Sequence, residues 1–358
     1  MTKIAVIGTV GVPACYGGFE TLAENLALFN QRLATPHDLT IVCSGKAYSH
    51  HPDHFAGAKL SYIPLSANGA QAIPYDIWSL LRVCRQRPDV ILLLGHAGAY
   101  VLPLLRLFTR ARFVTNVDGI EWKRDKWGWL TKQIIRLGEI MAARFSHEII
   151  ADNHGIADHV QSQYAKPSHV IAYGGDHAVE FEPKPIRPDL NLPQRFAFKV
   201  ARIEPENNIE MVLQGFADFG ELPLVVIGNW KNSTYGVDLV ERFGSLRNMH
   251  LIDPIYDLQT LYDIRRSAQL YVHGHSAGGT NPSLVEVMHF GVPILAFDCA
   301  FNRHTTADAA TYFKDAADLT NKLAEGTLED GAKMREIAQD RYTWDVVGKA
   351  YFDLLSTV

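Results

Sequence analysis

The sequence predicts an α/β protein made of two doubly wound, Rossmann-like parallel-sheet domains that face each other across a cleft. Short apolar runs alternate with segments of helical periodicity, which is typical of a parallel sheet covered by helices on both faces. This alternation is present in both halves of the chain. The length of 358 residues exceeds what one hydrophobic core usually holds and therefore favours two domains.

Within this plan, each apolar run is assigned as a strand and each periodic segment as a helix. In the first half, the predicted strands are residues 3–7, 39–43, 90–94, 113–117 and 148–151, and the predicted helices are residues 19–33, 77–87 and 130–145. In the second half, the predicted strands are residues 196–200, 224–227, 250–251, 270–273 and 294–297, and the predicted helices are residues 210–219, 258–267 and 283–290.

A proline-rich stretch lies between the two halves. Four prolines occur between Phe181 and Pro193, which disfavours both helix and central strand there. The predicted division is an N-terminal domain over residues 1–166 and a C-terminal domain over residues 167–340. Residues 341–358 are predicted to form a helix that packs back on the N-terminal domain. Ligands of such sheets bind at the carboxyl ends of the strands, so the loops that follow strands carry the candidate site residues.

Charge and cysteine usage narrow the class of protein. The formal net charge of −5 disfavours a general nucleic-acid binder. The four cysteines are widely spaced and form no CxxC pair, as expected of reduced cytosolic thiols. The N-terminus is strand-like, not leader-like, and the most apolar stretch, residues 90–108, is interrupted by Gly, His, Pro and Arg. We expect a cytoplasmic protein whose membrane contact is peripheral.

A glycine-rich loop follows the first predicted strand. Gly17 and Gly18 directly precede a predicted helix, where backbone N–H groups and the helix dipole favour an anion. The loop lacks the G-x-G-x-x-G pattern of dinucleotide-binding proteins, and the chain contains no Walker A sequence. The alternative is that these glycines serve only a long turn.

Three tryptophans and several cations are mixed in the loop after residue 117. This mixture suits a carbohydrate face, a diphosphate or the interfacial zone of a bilayer; the alternative is a solvated helix start over core tryptophans. Asp118 and Glu121 are candidates for a general base or for binding hydroxyls, or else are helix caps. The residues assigned to acceptor or membrane contact are Glu121, Trp122, Lys123, Arg124, Lys126 and Trp127.

Residues 271–288 are predicted to form a strand, a glycine loop and a helix. Asn281 is suited to the N-cap position and Pro282 to the first helical position. The preceding loop offers the amides of residues 278–280 to an anion, and Glu286 can accept hydrogen bonds from two ribose hydroxyls.

Arg202 follows the first strand predicted in the second half. A guanidinium at a strand end suits charge-assisted hydrogen bonds to phosphate, and the alternative is a surface salt bridge with Glu204 or Glu206. His273 and His275 have no third or fourth metal ligand near them in sequence, and the chain contains no Asp-x-Asp pair. We therefore predict no metal site and no cofactor.

Together these loops resemble those of retaining glycosyltransferases of the GT-B fold, family 4 in the usual sequence classification. The resemblance covers nearly the whole chain and is carried by residues 13–21, 118–124 and 278–284. These strings are similar to a bacterial rhamnosyltransferase-like subgroup of capsule and exopolysaccharide assembly. The sequence departs from the family at Gly278, which replaces the first of two glutamates, at Asn207, which replaces a lysine, and at Asp118, which replaces a histidine.

The resemblance also implies which residues bind the donor and which take part in catalysis. It places Glu286 on the donor ribose, Arg202 on the diphosphate and Asp118 beside the sugar, and these three are the predicted catalytic residues. The predicted donor-binding residues are Gly17, Gly18, Arg202, Lys231, Gly278, Gly279, Thr280, Asn281 and Glu286.

The function implied by the resemblance is metal-independent, retaining hexosyl transfer. The preferred prediction is that the protein transfers rhamnose from dTDP-rhamnose to a lipid-linked saccharide at the cytoplasmic face of the inner membrane. Three alternatives stay open: another donor such as UDP-glucose or UDP-N-acetylglucosamine, a nucleotide-sugar epimerase, and a non-catalytic nucleotide-sugar-binding subunit.

Overall fold

The computed structural model describes residues 1–15, 17–117, 119–123, 127–326 and 328–357. The chain divides into two compact units. The first unit consists of Met1–Tyr173 together with Trp344–Val358, and the second unit is Gly174–Thr343. The chain therefore leaves the first unit a few residues after the boundary predicted at residue 166 and returns to it for the last helix.

The described residues of the first unit form an eight-stranded sheet, in the order β3-β4-β2-β1-β5-β6-β7-β8. All pairs are parallel except β3 with β4. The strands are β1 (Lys3–Ile7), β2 (Asp38–Ser44), β3 (His54–Phe55), β4 (Ala58–Ile63), β5 (Val90–Leu94), β6 (Arg112–Val117), β7 (Glu148–Ala151) and β8 (His169–Val170). The helices up to residue 173 are α1 (Gly18–Arg32), α2 (Ala72–Cys84), α3 (Leu102–Phe108), α4 (Trp129–Phe145) and α5 (His154–Tyr164).

The described residues of the second unit form a six-stranded parallel sheet, in the order β11-β10-β9-β12-β13-β14. Its strands are β9 (Ala197–Val200), β10 (Leu224–Ile227), β11 (Met249–Ile252), β12 (Leu270–His273), β13 (Ile294–Phe297) and β14 (Thr311–Phe313). Its helices are α6 (Ile209–Phe219), α7 (Thr234–Phe243), α8 (Leu258–Ser267), α9 (Pro282–Met288), α10 (Ala300–Thr305), α11 (Ala316–Glu325) and α12 (Gly331–Arg341).

Short 3-10 turns connect several of these elements. They are Gly69–Gln71, Ala99–Val101, Glu121–Lys123, Asp176–Val179, Pro188–Leu190, Pro205–Asn207 and Trp230–Asn232. The proline-rich stretch contains one such turn and no strand or α-helix, as its composition predicts.

The last helix, α13 (Trp344–Thr357), packs against α1 within the first unit. The ring of Phe352 stacks on that of Phe29, with centroids 5.9 Å apart. Tyr351 is buried, and its hydroxyl accepts a hydrogen bond from the Asn116 side chain at the end of β6. The first unit is thus completed by residues from the far end of the chain.

Each sheet has a point at which the winding of the chain reverses. In the first sheet this switch point lies between β1 and β5, and in the second it lies between β9 and β12. The predicted fold class, two doubly wound parallel-sheet domains, is confirmed. None of the described helices is long and apolar enough to cross a bilayer.

Candidate functional site

Two of the predicted motifs follow the two strands that flank the switch point of the second sheet. β9 and β12 are parallel neighbours, so their carboxyl ends lie at the same edge of the sheet. Arg202 follows β9, and the glycine loop of residues 274–281 follows β12 and leads into α9. Ligands of open α/β sheets bind at this position. The fold therefore brings Arg202, the glycine loop and the start of α9 to one edge of the second sheet.

Hydrogen bonds hold the two loops together. The side chain of Asn208 donates to the carbonyl oxygen of Gly274 at 2.8 Å. The amide and the hydroxyl of Ser276 both donate to the carbonyl oxygen of Glu206, at 3.0 and 2.9 Å. A Cβ atom on Gly274 would lie 2.5 Å from the carbonyl oxygen of Asn207, so only glycine permits this approach. The loops after β9 and β12 consequently form one connected edge.

Arg202 presents a half-exposed guanidinium at this edge. Its side chain is 48% exposed, and its Nη1 lies 3.9 Å from the carboxylate of Glu204. An exposed pair at this separation contributes little free energy, so it leaves the guanidinium available to a stronger anion. Asn207 is buried and donates from its side chain to the carbonyl oxygen of Arg202 at 2.8 Å. Asn207 therefore fixes the backbone that carries Arg202 and supplies no charge.

The glycine loop ends in the predicted helix start. The side-chain oxygen of Asn281 accepts hydrogen bonds from the amide and the hydroxyl of Ser283, at 3.1 and 2.7 Å, which confirms the predicted N-cap. Pro282 is the first residue of α9, as predicted. Gly278 has a φ of +113°, a conformation that glycine adopts without strain. The backbone at residue 278 therefore favours glycine. The family that the sequence resembles has a glutamate at this position.

Glu286 lies in the first turns of α9 and is held from two sides. Its Oε2 is ion-paired with Arg265 at the end of α8, and its Oε1 lies 3.5 Å from His177. Burial alone would raise the pKa of Glu286, but the charges of Arg265 and His177 outweigh it and lower that pKa below its ordinary value. A carboxylate has about four lone-pair sites, so these two contacts leave acceptor capacity for hydroxyl groups.

Sequence reasoning missed Arg265 and His177. In the sequence, Arg265 is one of two cations in the last turn of a helix, a position usually explained by the helix dipole. In the structure its side chain is buried beside α9. The segment that carries His177 passes so close to α9 that a Cβ on Gly175 would lie 2.8 Å from the amide nitrogen of Glu286. These contacts depend on tertiary packing that no local pattern reveals.

Lys231 follows β10, which pairs with β9 on its other side. Its Nζ lies 2.7 Å from the carboxylate of Asp253, and its side chain is 81% exposed. The lysine therefore lies at the same edge of the sheet as Arg202, with its charge partly neutralised by a neighbour.

Two basic side chains are buried beneath this edge. Lys199 on β9 is fully buried, and its Nζ approaches Gly274. Burial lowers the pKa of Lys199 to about 7. Burial and the nearby Lys199 charge lower the pKa of His273, whose ring stacks on that of His275 with centroids 4.4 Å apart. Among the described residues, the Lys199 amine and both His273 nitrogens have no hydrogen-bond partner.

The histidine pair does not belong to a recognisable metal site. In the described part of the chain, no group of three or more His, Cys, Asp or Glu side chains is arranged to hold a metal ion.

In the first unit, the glycine-rich loop encloses a carboxylate. Glu20 is buried and accepts hydrogen bonds from the hydroxyl of Thr9 at 3.1 Å and the amide of Val10 at 2.7 Å. Gly17 has a φ of +100°, and a Cβ there would lie 2.4 Å from an Oε atom of Glu20. Gly18 is the first residue of α1. The loop therefore uses some of its donors internally, on a negatively charged side chain.

The tryptophan-rich loop is attached to α4 by a buried carboxylate. Glu139 accepts hydrogen bonds from Trp122 Nε1 at 2.9 Å, His159 Nε2 at 2.7 Å and the Tyr164 hydroxyl at 2.6 Å. Burial acts to raise the pKa of Glu139, but the hydrogen bonds from His159 and Tyr164 outweigh it and lower that pKa. This network was not predicted. The signal for it in the sequence was Glu139 itself, a glutamate among the apolar residues of one helix face.

The remaining residues of that loop are placed as follows. The Trp127 ring nitrogen donates to Glu121 at 3.0 Å. The guanidinium of Arg136 and the amine of Lys123 lie 5.2 and 5.5 Å from the centre of the Trp122 ring. The predicted contacts Asp118, Arg124 and Lys126 lie outside the described residues.

Comparisons with known proteins agree with this architecture. Residues 181–342 match the family model described as "Glycosyl transferases group 1". Residues 1–176 match the model described as "Domain of unknown function (DUF1972)". A search of curated protein sequences finds no match to the chain.

Several solved structures share the whole fold. A sucrose-phosphate synthase from Thermosynechococcus elongatus has a TM-score of 0.80 at 16% identity, covering 100% of both chains. HepE from Anabaena, in complex with UDP and glucose, has a TM-score of 0.73 at 13% identity, again covering 100% of both chains. A putative UDP-N-acetylglucosamine 2-epimerase from Listeria monocytogenes has a TM-score of 0.63 at 12% identity, covering 99% of this chain and 96% of that chain.

The fold and the matching C-terminal domain define the class of the protein, which is a glycosyltransferase with the GT-B fold. More particularly, a group 1 glycosyltransferase domain makes up most of the second unit, and a segment matching DUF1972 makes up most of the first.

Proposed function

We propose that the protein transfers a sugar from a nucleoside diphosphate sugar to a lipid-linked saccharide, with retention at the anomeric carbon and without a divalent cation. The observation that carries the donor assignment is the hydrogen-bonded edge formed by the loops after β9 and β12. That edge displays the Arg202 guanidinium and the glycine loop, which suit a diphosphate. It also displays the ionised Glu286 carboxylate, which suits the hydroxyl groups of a ribose.

In this proposal the donor lies along the edge of the second sheet. The Arg202 guanidinium and the amides of Gly278, Gly279 and Thr280 receive the diphosphate, because both are hydrogen-bond donors suited to phosphate oxygens. Glu286 accepts hydrogen bonds from the ribose hydroxyls through the lone pairs that Arg265 and His177 leave available. Lys231 adds positive charge on the same edge when it exchanges Asp253 for phosphate.

The costly event in the reaction is departure of a nucleoside diphosphate. Charge develops on its phosphate oxygens in the transition state, and fixed donors aimed at that charge stabilise it more than they stabilise the bound substrate. Arg202 and the loop amides supply such donors. A departing phosphate oxygen takes the proton of the acceptor hydroxyl, so the reaction needs no enzymic nucleophile. Asp118 is proposed to stabilise the positive charge that develops on the sugar.

The acceptor side is assigned to the first unit. Trp122 and Trp127 lie in a loop with cations close to the Trp122 ring, a combination that suits a saccharide next to a diphosphate and a membrane surface. We propose that Glu121, Trp122, Lys123, Arg124, Lys126 and Trp127 contact the lipid-linked acceptor or the membrane.

The identity of the donor is a narrower proposal. Rhamnose from dTDP-rhamnose is favoured by the similarity of residues 13–21, 118–124 and 278–284 to rhamnosyltransferases of capsule and exopolysaccharide assembly. The solved HepE structures contain UDP, which makes UDP-glucose and UDP-N-acetylglucosamine the first donors to compare with it.

A panel of donors tests the proposal. Purified protein is incubated with UDP-, dTDP- and GDP-sugars and a lipid-linked glucose acceptor, and products are identified by mass spectrometry. One donor is expected to give a lengthened acceptor with its anomeric configuration retained, in the presence of EDTA. Activity that disappears with EDTA and returns with manganese contradicts metal independence.

Control reactions without acceptor separate the alternative functions. Isomerised donor without acceptor identifies an epimerase, the activity named for the Listeria monocytogenes neighbour. Donor binding without release of nucleoside diphosphate identifies a non-catalytic binding subunit. Either result would overturn the proposed transfer reaction.

A further inference from the structure

Three helices of the first unit lie side by side over one face of its sheet. The inward side chains of α2, α3 and α4 share one core cluster with β1, β5 and β6. α4 contacts α3 and the 3-10 turn before it, and that turn contacts α2. We call the outward surface of these three helices, Ala72–Cys84, Leu102–Phe108 and Trp129–Phe145, the three-helix face.

The three-helix face exposes many large apolar side chains. Leu107 and Phe108 are each 78% exposed, and Trp129 is 75% exposed. Leu130, Ile134 and Leu137 follow one another at helical spacing on the outer side of α4. The complete set is Trp78, Leu81, Leu104, Leu107, Phe108, Trp129, Leu130, Ile134 and Leu137. Neighbouring exposed apolar residues on this scale indicate a surface that contacts something apolar.

All the charged side chains of these helices that reach solvent are positive. The two acidic residues of these helices, Asp76 and Glu139, are buried, at 6% and 1% exposure. The charged side chains outside the core are Arg82, Arg106, Lys132, Arg136 and Arg144. The whole protein carries a net charge of −5, so this positive face is a local arrangement and not a reflection of composition.

We propose that the three-helix face docks on the surface of an anionic lipid bilayer. Apolar side chains flanked by arginine and lysine are the pattern of helices that lie in a membrane interface, where the apolar groups enter the acyl boundary and the cations meet lipid phosphates. Trp129 is amphipathic and suited to this depth. The inference deepens the membrane association proposed above and rests on it, since it names the surface and the lipid charge.

A second copy of this chain is a poorer occupant for the face. In a two-fold symmetric contact the same patch meets itself, so five cations of one copy would oppose five of the other. No exposed acid on these helices compensates that repulsion. An anionic bilayer supplies both the apolar phase and the opposite charge.

Co-sedimentation with vesicles tests the inference. The full chain is mixed with phosphatidylcholine vesicles that contain or lack phosphatidylglycerol, without donor or acceptor. The wild type is expected to bind the anionic vesicles and to be released by salt. Replacing Arg82, Arg106 and Arg144 by Gln together is expected to weaken binding about 100-fold, at roughly fivefold for each cation. Replacing Leu107 and Phe108 by Ser is expected to weaken it more than tenfold.

Matched controls lie in the second unit. Val237 and Val240 on α7 are exposed, and so are Arg247 and Arg266. Val237→Ser with Val240→Ser, and Arg247→Gln with Arg266→Gln, should each change vesicle affinity less than twofold. Circular dichroism checks that every variant is folded. In the wild type, Trp emission should be quenched by brominated phospholipid. Trp129→Phe should reduce that quenching, and Trp129→Phe with Trp78→Phe should reduce it further, because both rings lie exposed on the three-helix face.

Four results would overturn the inference: no binding of wild type to anionic vesicles, equal binding of wild type to neutral vesicles, unchanged affinity of the face variants, or a wild-type dimer that Leu107→Ser with Phe108→Ser dissociates. The same variants should retain full transfer to an acceptor dissolved in detergent. Vesicle binding without sugar transfer would leave the docking surface intact and refute the proposed reaction. Sugar transfer in detergent without vesicle binding would refute the docking surface and leave the proposed reaction intact.

Discussion

Arg265 on α8 and Glu286 on α9 form a buried ion pair, and the free lone pairs of the same carboxylate are the ones assigned to the donor ribose. The carboxylate therefore joins the packing of two helices to the proposed donor site.

Removing Arg265 should destabilise the protein and weaken donor binding together. Arg265→Met leaves the largely buried Glu286 carboxylate with His177 as its remaining ion-pair partner. Removing one partner of a buried ion pair typically costs about 3–5 kcal/mol. Urea denaturation measures the stability, and titration with nucleotide measures the affinity. Arg266→Met, which changes the exposed neighbour, is the control and should alter neither. Combining Arg265→Met with Glu286→Gln should recover much of the stability without the affinity; a double variant as unstable as the single one would contradict this account.

Glu286 and Arg202 should affect different kinetic constants. Glu286→Ala should chiefly raise the KM for the donor, because the ribose contact is the same in the ground and transition states. Arg202→Ala should lower kcat by about 100-fold to 1,000-fold, because the leaving phosphate gains charge in the transition state. Steady-state kinetics over a range of donor concentration separate the two. Arg247→Ala controls for loss of an exposed cation, and unchanged kinetics in both site variants would refute the site.

Lys199 should make the stability of the protein depend on pH above neutrality. Its pKa in the folded protein is lowered from 10.5 to about 7 by burial. Between those values the unfolded chain binds a proton that the folded protein lacks, so stability should rise with pH across this interval. Lys199→Met should be more stable than wild type at pH 7, on the order of a few kcal/mol, with the difference shrinking towards pH 10. Urea denaturation at several pH values gives the comparison; a constant difference would show that Lys199 is charged and paired.

Glu139 should stabilise the first unit at neutral pH and cease to do so in acid. Its pKa in the folded protein is below the ordinary value of 4.5, so its contribution is complete above 4.5 and is lost as the pH falls through the folded value. Glu139→Gln should destabilise by about 2–4 kcal/mol at pH 7, because charge-assisted hydrogen bonds from Trp122, His159 and Tyr164 are weakened. The deficit should narrow below pH 4.5 in denaturation curves.

Trp fluorescence gives that prediction a second, local readout. Glu139→Gln should shift the emission of Trp122, whereas Glu148→Gln, at a partly exposed carboxylate paired with His169, should leave it unchanged. A shift of equal size in both variants would show that Glu139 does not hold the loop.

The fold was largely predictable because its strands are short, apolar and separated by regular helices. The strands at residues 3–7, 90–94, 148–151, 224–227, 270–273 and 294–297 and the helix at residues 258–267 have the predicted bounds. The β3–β4 hairpin was missed for two reasons. β3 has only two residues and leaves no periodic pattern, and β4 alternates apolar residues with Lys59 and Ser61, so it lacks the continuous apolar run from which the other strands were assigned. The helix predicted at residues 77–87 begins at Ala72, since Pro74 falls in its first turn, where proline is tolerated.

The positions of the candidate site residues could be predicted only where those residues lie in one continuous stretch of sequence. Asn281, Pro282 and Glu286 follow β12 directly, so turn and cap preferences locate them. Arg265, His177 and Lys199 come from separate elements, and only the folded chain brings them beside the loops. Their burial is set by packing between helices and strands that are distant in sequence, which no local pattern encodes.

The return of α13 to the first unit has a practical consequence for engineering the enzyme. Because residues 174–343 are inserted between two parts of one unit, a chimera that exchanges this second unit needs two junctions, one near Tyr173 and one near Trp344. A truncation after Thr343 would instead remove Phe352 and Tyr351, and Phe29 and Asn116 would lose their contacts with them. Grafting with both junctions is therefore the route by which the second unit, which carries the proposed donor site, can be exchanged between relatives while the first unit stays intact.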